Sequence, residues 1–340
     1  MVHPSSVYEH AYVEGVAPRP YIVARIAVTD GMAAEAVEKL REAGHEVDLN
    51  PAQLDGFDAV VVRSATKMTS EAIAESPSLK LIGRAGVGVD NIDLGAATNA
   101  GILVCNTPGS STQSVVELTI GHLLASTRHV ATADRDLRAG KWTKKSLKGT
   151  ELSGKRLGFI GFGRIAQGVG GIARAFGMEL CAYDPYLPPH IAEEQGCVLH
   201  EDVNDVFRSC THITIHCNLT DETHHLVNSH TLALMPGIGA DGTECGNHLV
   251  SCARGGIVNE QDAFEALENG VLSSCALDVF ETEPVGENAI LHHPNFHGTP
   301  HIGAATLEAQ ARIGFEMADL LICFFNGETP KSVVNRGVLD

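Results

Sequence analysis

Several features that would indicate other classes of protein are missing from this sequence. No apolar run approaches the roughly 18 residues that a membrane-spanning helix needs. The N-terminal stretch MVHPSSVYEH lacks the positive and apolar regions of a secretory signal. We therefore expect a cytoplasmic protein without membrane contact. The nine cysteines are scattered without any C-x-x-C spacing, so we expect neither a disulfide framework nor a metal site.

Positive charge is also scarce. The chain has 24 Lys and Arg against 42 Asp and Glu, which gives a net charge of −18. A chain this acidic does not attract nucleic acid through its overall field, so no nucleic-acid partner is expected. Residues 128–148 are the exception, with seven basic and two acidic residues. This local excess indicates a site for a small anion, although a solvated helix face gives the same pattern.

Strand-like and helical patterns alternate in two series along the 340 residues. The first series has predicted strands at RIAVTD, DAVVVRS, LKLIGRAG and GILVCN; the second has them at KRLGFIGFG, ELCAYD, HITIHC, HLVSCA and SSCALDVF. Such alternation is typical of doubly wound sheets. We therefore predict an α/β fold with two Rossmann-like, doubly wound parallel-sheet domains and a cleft between them.

Three further segments complete this organisation. A single long helix is predicted from about Gln113 to Ala139, between the two series. A C-terminal helix, from about Leu307 to Asn326, is expected to return to the first domain. Residues 1–20 show no periodicity and predict an irregular arm.

A glycine motif opens the second series. Gly161–Ala166 matches G-x-G-x-x-G/A, follows a predicted strand and begins a predicted helix. Its glycines allow a tight turn and close approach of a pyrophosphate to the helix N-terminus. Asp184 ends the next strand, where a carboxylate accepts hydrogen bonds from ribose hydroxyls and repels a 2′-phosphate. The order of these elements favours NAD over NADP.

Titratable residues follow three later strands of the second series. They lie in Cys252–Gly256, in Asp278–Pro284 and in Pro300–Gly303. Ligands of doubly wound folds bind at the carboxyl ends of strands, so these segments are expected to meet there. A histidine is a natural base for a hydroxyl proton, a carboxylate fixes its tautomer, and an arginine holds a substrate carboxylate. Together they predict hydride transfer between NAD and a small 2-hydroxy or 2-keto acid.

From about Arg25 to Asn335 the chain resembles the D-isomer-specific 2-hydroxyacid dehydrogenase family. The resemblance implies that Arg254 binds and orients the substrate, that Glu283 tunes the histidine, and that His301 is the acid/base. It also implies cofactor contacts at Gly161, Gly163, Arg164, Ile165, Asp184, Cys217, Cys252, Ala253, Asp278, Gly303 and Ala304. On this basis residues 119–304 are predicted to bind NAD, and residues 1–118 with 305–340 to bind substrate.

Within the family, the first half is similar to the phosphoglycerate dehydrogenases. The matching stretches are VVVRSATKMT, GRAGVGVDNIDLGAAT, GILVCNTP and GKWTKKSLKGTEL. They imply oxidation of D-3-phosphoglycerate to 3-phosphohydroxypyruvate in serine biosynthesis, by a homodimer in which Lys144 reaches a neighbouring subunit's site. They also imply substrate contacts at Arg63, Ser64, Arg84, Gly86, Val87 and Gly88.

The sequence departs from that pattern in several places. Ser111 stands where phosphoglycerate dehydrogenases usually have asparagine, and Asn218 replaces the proline of His-x-Pro. Residues 237–247 are interpreted as an inserted surface loop. Many relatives continue past the position of Asp340 into a serine-binding regulatory domain; if the chain is complete, feedback inhibition through that domain is not expected.

Two alternatives remain open. The same chemistry with glyoxylate, hydroxypyruvate or another small keto acid would make the protein a different dehydrogenase of this family. A non-enzymatic NAD-sensing protein, similar to the family's transcriptional corepressors, would retain the catalytic residues without turnover.

Overall fold

The computed structural model describes residues 22–339, so the irregular arm predicted for residues 1–20 lies outside the described residues. Within this range the chain forms two compact units. The first takes in the described residues up to Ala85, Asp90–Asn106 and the described residues from Phe315 onward; the second takes in Gly86–Val89 and Thr107–Gly314. The substrate and cofactor roles assigned to the two predicted domains remain predictions.

Five strands form the sheet of the first unit: β1 (Arg25–Val28), β2 (Glu46–Leu49), β3 (Ala59–Val62), β4 (Leu81–Arg84) and β5 (Leu103–Asn106). All neighbours are parallel, in the order β2-β1-β3-β4-β5, with Ile26 opposite Ala59. The central strand β3 is buried along its whole length, as a parallel sheet covered on both faces requires.

Short helices connect these strands: α1 (Ala34–Glu42), α2 (Ser70–Ala74) and α3 (Leu94–Asn99). The chain leaves α1 through Gly44, whose φ of 83° suits a residue without a side chain. Thr69 and Asp93 cap α2 and α3, because their side-chain oxygens accept hydrogen bonds from first-turn N–H groups.

Seven parallel strands form the sheet of the second unit: β6 (Arg156–Ile160), β7 (Glu179–Tyr183), β8 (Cys197–His200), β9 (His212–Ile215), β10 (His248–Ser251), β11 (Ser274–Leu277) and β12 (Phe296–Gly298). Their order is β12-β11-β10-β9-β6-β7-β8. The chain order reverses at β6, which lies between β7 and β9, and ligands of such sheets bind beside this reversal. The predicted α/β fold with two parallel sheets is confirmed.

The remaining helices are α4 (Thr112–Thr127), α5 (Val130–Arg138), α6 (Arg164–Ala175), α7 (Pro189–Glu194), α8 (Val203–Ser209), α9 (Ser229–Leu232), α10 (Glu260–Glu268) and α11 (Leu307–Phe325). Short 3₁₀ turns occur at Ala289–His292 and Arg336–Val338. The C-terminal helix is confirmed as α11, and its residues from Phe315 belong to the first unit.

The prediction of one helix from Gln113 to Ala139 is wrong. The helix ends at Thr127, and a second helix begins at Val130 after His129, whose φ is 54°. The carbonyl oxygen of Thr127 accepts a hydrogen bond from the backbone N–H of Thr150 at 3.2 Å. Thr150 therefore occupies the carbonyl oxygen that a continuous helix would have used for its own next hydrogen bond.

The predicted insertion, residues 237–247, is a short loop closed by an antiparallel bridge between Ile238 and Glu244. Ile238 is half exposed at 52%. Asp241 anchors the loop through a 2.8 Å ion pair with Lys155, whose side chain is buried. The loop is thus tied to the sheet near the start of β6.

The cysteines all carry free thiols, and seven of the nine are buried. Burial raises the pKa of Cys105, Cys197 and Cys252 to about 12. These thiols therefore pack as protonated, apolar groups. Among residues 22–339, no helix is both long and apolar enough to cross a bilayer.

Candidate active site

A tight turn joins β6 to α6 at the reversal of the second sheet. Gly161 has a φ of 82°, and a Cβ atom there would lie 2.8 Å from the backbone nitrogen of Cys217. Only glycine fits this position. Gly163 caps α6 without a side-chain hydrogen bond, and a Cβ atom at Gly163 would meet nothing within 4 Å. The first N–H groups of α6 therefore face open space that suits a pyrophosphate.

Asp184 follows β7 and is fixed by two backbone groups. One carboxylate oxygen accepts a hydrogen bond from the N–H of Phe162 at 2.9 Å, and the other from the N–H of Tyr186 at 3.0 Å. These bonds hold the carboxylate beside the glycine turn. Its remaining lone pairs are available to the hydroxyls of a ribose.

A cavity of about 840 Å³ lies against the turn and Asp184. This volume is in the range of about 300–1,000 Å³ that cofactor sites occupy. Seven of the predicted site residues line it: Val87, Gly161, Gly163, Arg164, Ile165, Asp184 and Cys217. The turn, the free helix N-terminus and the acidic residue therefore fit a dinucleotide.

Fourteen other residues line this cavity and are not among the predicted cofactor contacts, although Ala166 closes the glycine motif. They are Pro108, Thr112, Ile160, Ala166, Gln167, Tyr183, Pro185, Tyr186, His216, Asn218, Thr220, Glu222, Thr223 and Leu226. Thr220 and Thr223 form a turn shortly after β9, in which their hydroxyls lie 3.2 Å apart. A threonine-rich turn at the carboxyl end of a strand is a signal that could have found them. Tyr186 is 84% exposed at the rim.

Two groups directly after β9, His216 and Cys217, are uncharged near neutral pH. Burial lowers the pKa of His216 to about 3, and its Nε2 lies 2.9 Å from the hydroxyl of Thr214. Burial raises the pKa of Cys217 to about 11. The part of the wall formed by His216 and Cys217 is therefore neutral, and with the acidic Glu222 further along it suits a nucleobase better than a phosphate.

The predicted catalytic segments follow three adjacent strands. Arg254 lies three residues after β10, Asp278 directly after β11, and His301 three residues after β12. Because these parallel strands are neighbours in the sheet, their carboxyl ends share one edge. The structure thus brings the three segments to the edge that also carries the glycine turn.

His301 and Glu283 form a close pair. The Nδ1 atom of His301 lies 2.6 Å from a carboxylate oxygen of Glu283, and the other oxygen accepts a hydrogen bond from the N–H of Phe280 at 3.1 Å. The carboxylate accepts a hydrogen bond from the Nδ1–H group, which leaves the Nε2 atom free to exchange protons with a substrate. His301 has a φ of 53°, an uncommon conformation for a residue with a side chain.

The segment that carries Arg254 packs directly on the segment that carries Glu283. A Cβ atom at Gly255 would lie 1.8 Å from the carbonyl oxygen of Phe280, so only glycine permits this approach. Arg254 donates a hydrogen bond to the carbonyl of Ala253 at 2.7 Å. Two of the three predicted catalytic residues therefore lie on backbone segments in contact, and the third is bonded to one of them.

The other predicted cofactor residues do not line the cavity described above. They are Cys252, Ala253, Asp278, Gly303 and Ala304. The carboxylate of Asp278 accepts hydrogen bonds from the backbone N–H groups of Ile302 and Gly303, at 2.8 and 2.9 Å. Asp278 therefore holds the segment around the histidine.

The predicted substrate residues fall in both units. Arg63 and Ser64 directly follow β3, and Arg84 ends β4, all in the first unit. The backbone of Arg63 is fixed by Asp30, which accepts its N–H at 2.7 Å, and by Asn91, which donates to its carbonyl at 2.7 Å. Residues 86–88 belong to the second unit.

Comparison with known proteins identifies relatives of this chain. Residues 120–303 match the family model of the D-isomer specific 2-hydroxyacid dehydrogenases, NAD binding domain. D-3-phosphoglycerate dehydrogenase from Methanocaldococcus jannaschii is 43% identical over 319 residues, which are 92% of this chain and 59% of that protein. Hydroxypyruvate reductase from Thermotoga maritima is 44% identical over 265 residues, 77% of this chain and 83% of that protein.

A solved structure agrees in fold. The TT0316 protein from Thermus thermophilus has a TM-score of 0.82 and 30% identity, and the match covers 91% of this chain and 99% of that one. The chain therefore spans less than two thirds of the phosphoglycerate dehydrogenase it matches, but nearly all of the TT0316 protein.

Proposed function

Because this chain belongs to the D-isomer specific 2-hydroxyacid dehydrogenases, we propose that it oxidises D-3-phosphoglycerate to 3-phosphohydroxypyruvate with NAD, the reaction that opens serine biosynthesis. The observation that supports the dehydrogenase chemistry most strongly is the 2.6 Å pair of His301 and Glu283 at the sheet edge that carries the nucleotide turn. It supplies an acid/base group at the edge where a dinucleotide fits.

In this proposal His301 is the base of the oxidation. Its Nε2 atom accepts the proton of the substrate's C2 hydroxyl, while Glu283 stabilises the imidazolium that forms. Bound NAD supplies the hydride acceptor. In the reverse direction the imidazolium returns the proton to the carbonyl oxygen of the keto acid.

Arg254 binds the substrate in this proposal. A guanidinium pairs with a carboxylate through two parallel hydrogen bonds, which fixes the orientation of the C2 carbon as well as its position. Gly255 holds the arginine segment against Phe280, so Arg254 and Glu283 are positioned by the same contact. Orientation of this kind is a large part of the rate that enzymes gain.

The preference for NAD rests on Asp184. Its carboxylate is held by the N–H groups of Phe162 and Tyr186 and cannot swing away from the ribose. A 2′-phosphate placed there would meet a fixed negative charge, so NADP is disfavoured.

Positive charge supports a phosphorylated substrate. We propose Arg63, Ser64, Arg84 and the loop 86–88 as substrate contacts. In the basic segment, Asp134 pairs with Arg138 at 2.8 Å and Asp136 with Lys141 at 3.7 Å. The exposed lysines further along, Lys144, Lys145 and Lys148, have no ion pair within residues 22–339. The excess positive charge is thus concentrated near residues 144–148.

We also propose a homodimer formed through the region of α5. Three large apolar side chains are exposed there: Val130 at 55%, Leu137 at 60% and Trp142 at 82%. Val130 and Leu137 are seven residues apart and so lie on one face of α5. Such a patch is typical of an interface, which would bring Lys144 towards a second copy. Light scattering of the purified protein tests this; a monomer would contradict it.

Hydroxypyruvate is a second candidate substrate. The Thermotoga maritima relative with 44% identity is called hydroxypyruvate reductase, and this chain covers 83% of it. Ser111 is buried at the start of α4 and makes no capping hydrogen bond. A serine in place of a longer amide favours a different set of substrate contacts.

Steady-state kinetics decides between these substrates. NADH absorbance is followed with phosphohydroxypyruvate, hydroxypyruvate and glyoxylate. We expect kcat/KM to fall about 100-fold when the phosphate is removed. Arg63→Gln should reduce this preference, whereas Arg41→Gln, an exposed α1 residue paired with Glu38, should not. Equal kcat/KM values would contradict the phosphate assignment, and no turnover of any keto acid would favour an NAD-sensing binding protein.

A further inference from the structure

We propose that His122 and Thr299 are positioning residues for His301, acting through the carboxylate of Asp278. This inference rests on the proposed catalytic role of His301. The observation behind it is a continuous chain of hydrogen bonds from the middle of α4 to the segment that carries the histidine.

At one end of this hydrogen-bond chain, Asp278 holds the backbone at His301 and at the two residues that follow it. The N–H of His301 donates to the carbonyl oxygen of Asp278 at 2.8 Å. The N–H groups of Ile302 and Gly303 donate to the two carboxylate oxygens of the same residue. A Cβ atom at Gly303 would lie 3.1 Å from that carboxylate, so the segment is wrapped closely around it.

The donor and acceptor of each remaining hydrogen bond between His122 and Asp278 are fixed. The hydroxyl of Thr299 donates to an oxygen of Asp278 at 2.6 Å. Because a hydroxyl has one proton, Thr299 can only accept at its other contact, which is the Nε2 atom of His122 at 3.0 Å. His122 is therefore the Nε2–H tautomer and donates to Thr299.

Burial makes these bonds difficult to replace. His122 is 4% exposed and Asp278 is 1% exposed, so water does not compete freely for either group. Burial also lowers the pKa of His122 to about 4, which keeps the ring neutral at ordinary pH. A neutral ring can still donate a hydrogen bond from Nε2, and this is the only bond that His122 has to make to Thr299.

The conformation of His301 explains why such a chain is needed. Its φ of 53° lies in the left-handed region, which an L-residue occupies only when its surroundings hold it there. Asp278 supplies partners for three successive N–H groups, and Thr299 with His122 orients the carboxylate that accepts two of them. Without that orientation the imidazole would lose its alignment with the substrate.

Packing alone does not explain His122. A leucine would fill the same buried position on α4 without placing an imidazole there, and the residues on either side of His122 in the buried set, Ile120 and Leu123, are apolar. A packing role and a positioning role differ in one respect that can be measured: only the positioning role depends on the hydroxyl of Thr299.

The test is a double-mutant cycle on the purified full-length protein, with His122→Leu, Thr299→Val and the double variant. We expect each single variant to lower kcat about tenfold, with the KM of the keto acid and the Kd of NADH changed less than about twofold. The double variant should be no slower than Thr299→Val alone, because His122 acts only through that hydroxyl. His122→Gln, which can donate from a similar position, should recover kcat to within about twofold.

A matched control is Thr127→Val. Thr127 is also buried on α4, but its hydroxyl bonds only to carbonyls of its own helix, those of Leu123 and Leu124. Its kcat should be unchanged.

Two results would overturn the inference: additive effects of His122→Leu and Thr299→Val, or full kcat in His122→Leu while His301→Gln is inactive. If His301→Gln retains full kcat, the proposed function fails first, and the two failures are thereby distinguished.

Discussion

Acid should destabilise the second unit through a buried pair of histidines. His212 and His248 begin β9 and β10, and their rings stack with centroids 4.6 Å apart and an interplanar angle of 23°. Both are almost fully buried. Burial lowers the pKa of His248 to about 4, and burial together with the neighbouring His248 holds the pKa of His212 well below its usual value.

The sign and size of the effect follow from these values. Above pH 6.5 the histidines are neutral in both the folded and the unfolded chain, so they do not affect stability. Between pH 6.5 and about 4, His248 binds a proton in the unfolded chain but not in the folded one, so the free energy of unfolding decreases as the pH falls. At about 1.4 kcal/mol for each pH unit, His248 alone removes about 3 kcal/mol. His122 has a similarly lowered pKa, and the net stability of a domain is only about 5–15 kcal/mol.

Calorimetry from about pH 7.5 to about pH 4.5 measures this loss. We expect Tm to fall steeply below about pH 6.5, and the fall to be smaller in His212→Phe, which keeps a stacked ring but does not titrate. His190→Gln, a change at an exposed histidine, should retain the full fall. A Tm that is constant over this range, or an unchanged slope in His212→Phe, would refute the reasoning.

Three further predictions concern the site. Asp184→Ala should raise the KM of NAD about tenfold and relax discrimination against NADP, because the ribose hydroxyls lose their acceptor; an unchanged NAD/NADP ratio would exclude that contact. Glu283→Gln should lower kcat about 10- to 100-fold with little change in KM, because the imidazolium loses its counter-charge; wild-type kcat would argue against the pair. Gly255→Ala should lower both Tm and kcat/KM, because its Cβ would lie 1.8 Å from the carbonyl oxygen of Phe280. The control Gly171→Ala on α6 should be neutral, because a Cβ atom there meets nothing within 4 Å. Equal Tm values for the two variants would contradict the contact.

Much of the fold could be predicted from the sequence because its strands are short, continuous apolar runs. β3 and β9 are buried at every position, which parallel sheets covered on both faces require. The strands that escaped prediction lie at sheet edges or carry polar residues. β2 has one buried residue in four, and β8 also has only one. Apolar runs therefore locate strands that are mostly buried, including the edge strand β5, and miss edge strands with few buried residues.

The helix break at His129 could not be predicted, because its cause lies far along the chain. The carbonyl that would continue α4 instead bonds to Thr150, and no local signal such as proline or glycine marks the end. Helical periodicity alone cannot detect a partner supplied by tertiary structure.

The candidate site shows the same division. The glycine turn and Asp184 form a local motif with fixed spacing, and the cavity lies beside them. By contrast, the bonds among His122, Thr299 and Asp278 join residues up to 177 positions apart. Neither His122 nor Thr299 is unusual in its local context, so the sequence does not show that they meet Asp278.

The most direct test of the proposed activity is the turnover of His301→Gln beside a measurement of its NADH binding. Wild-type protein should reduce phosphohydroxypyruvate at ordinary enzyme rates, of about 1–1,000 per second. In His301→Gln we expect kcat to fall at least about 1,000-fold, while the Kd of NADH, from fluorescence titration, stays within about twofold. Wild-type turnover by that variant, or a loss of activity explained entirely by lost NADH affinity, would contradict the role of His301 as the acid/base.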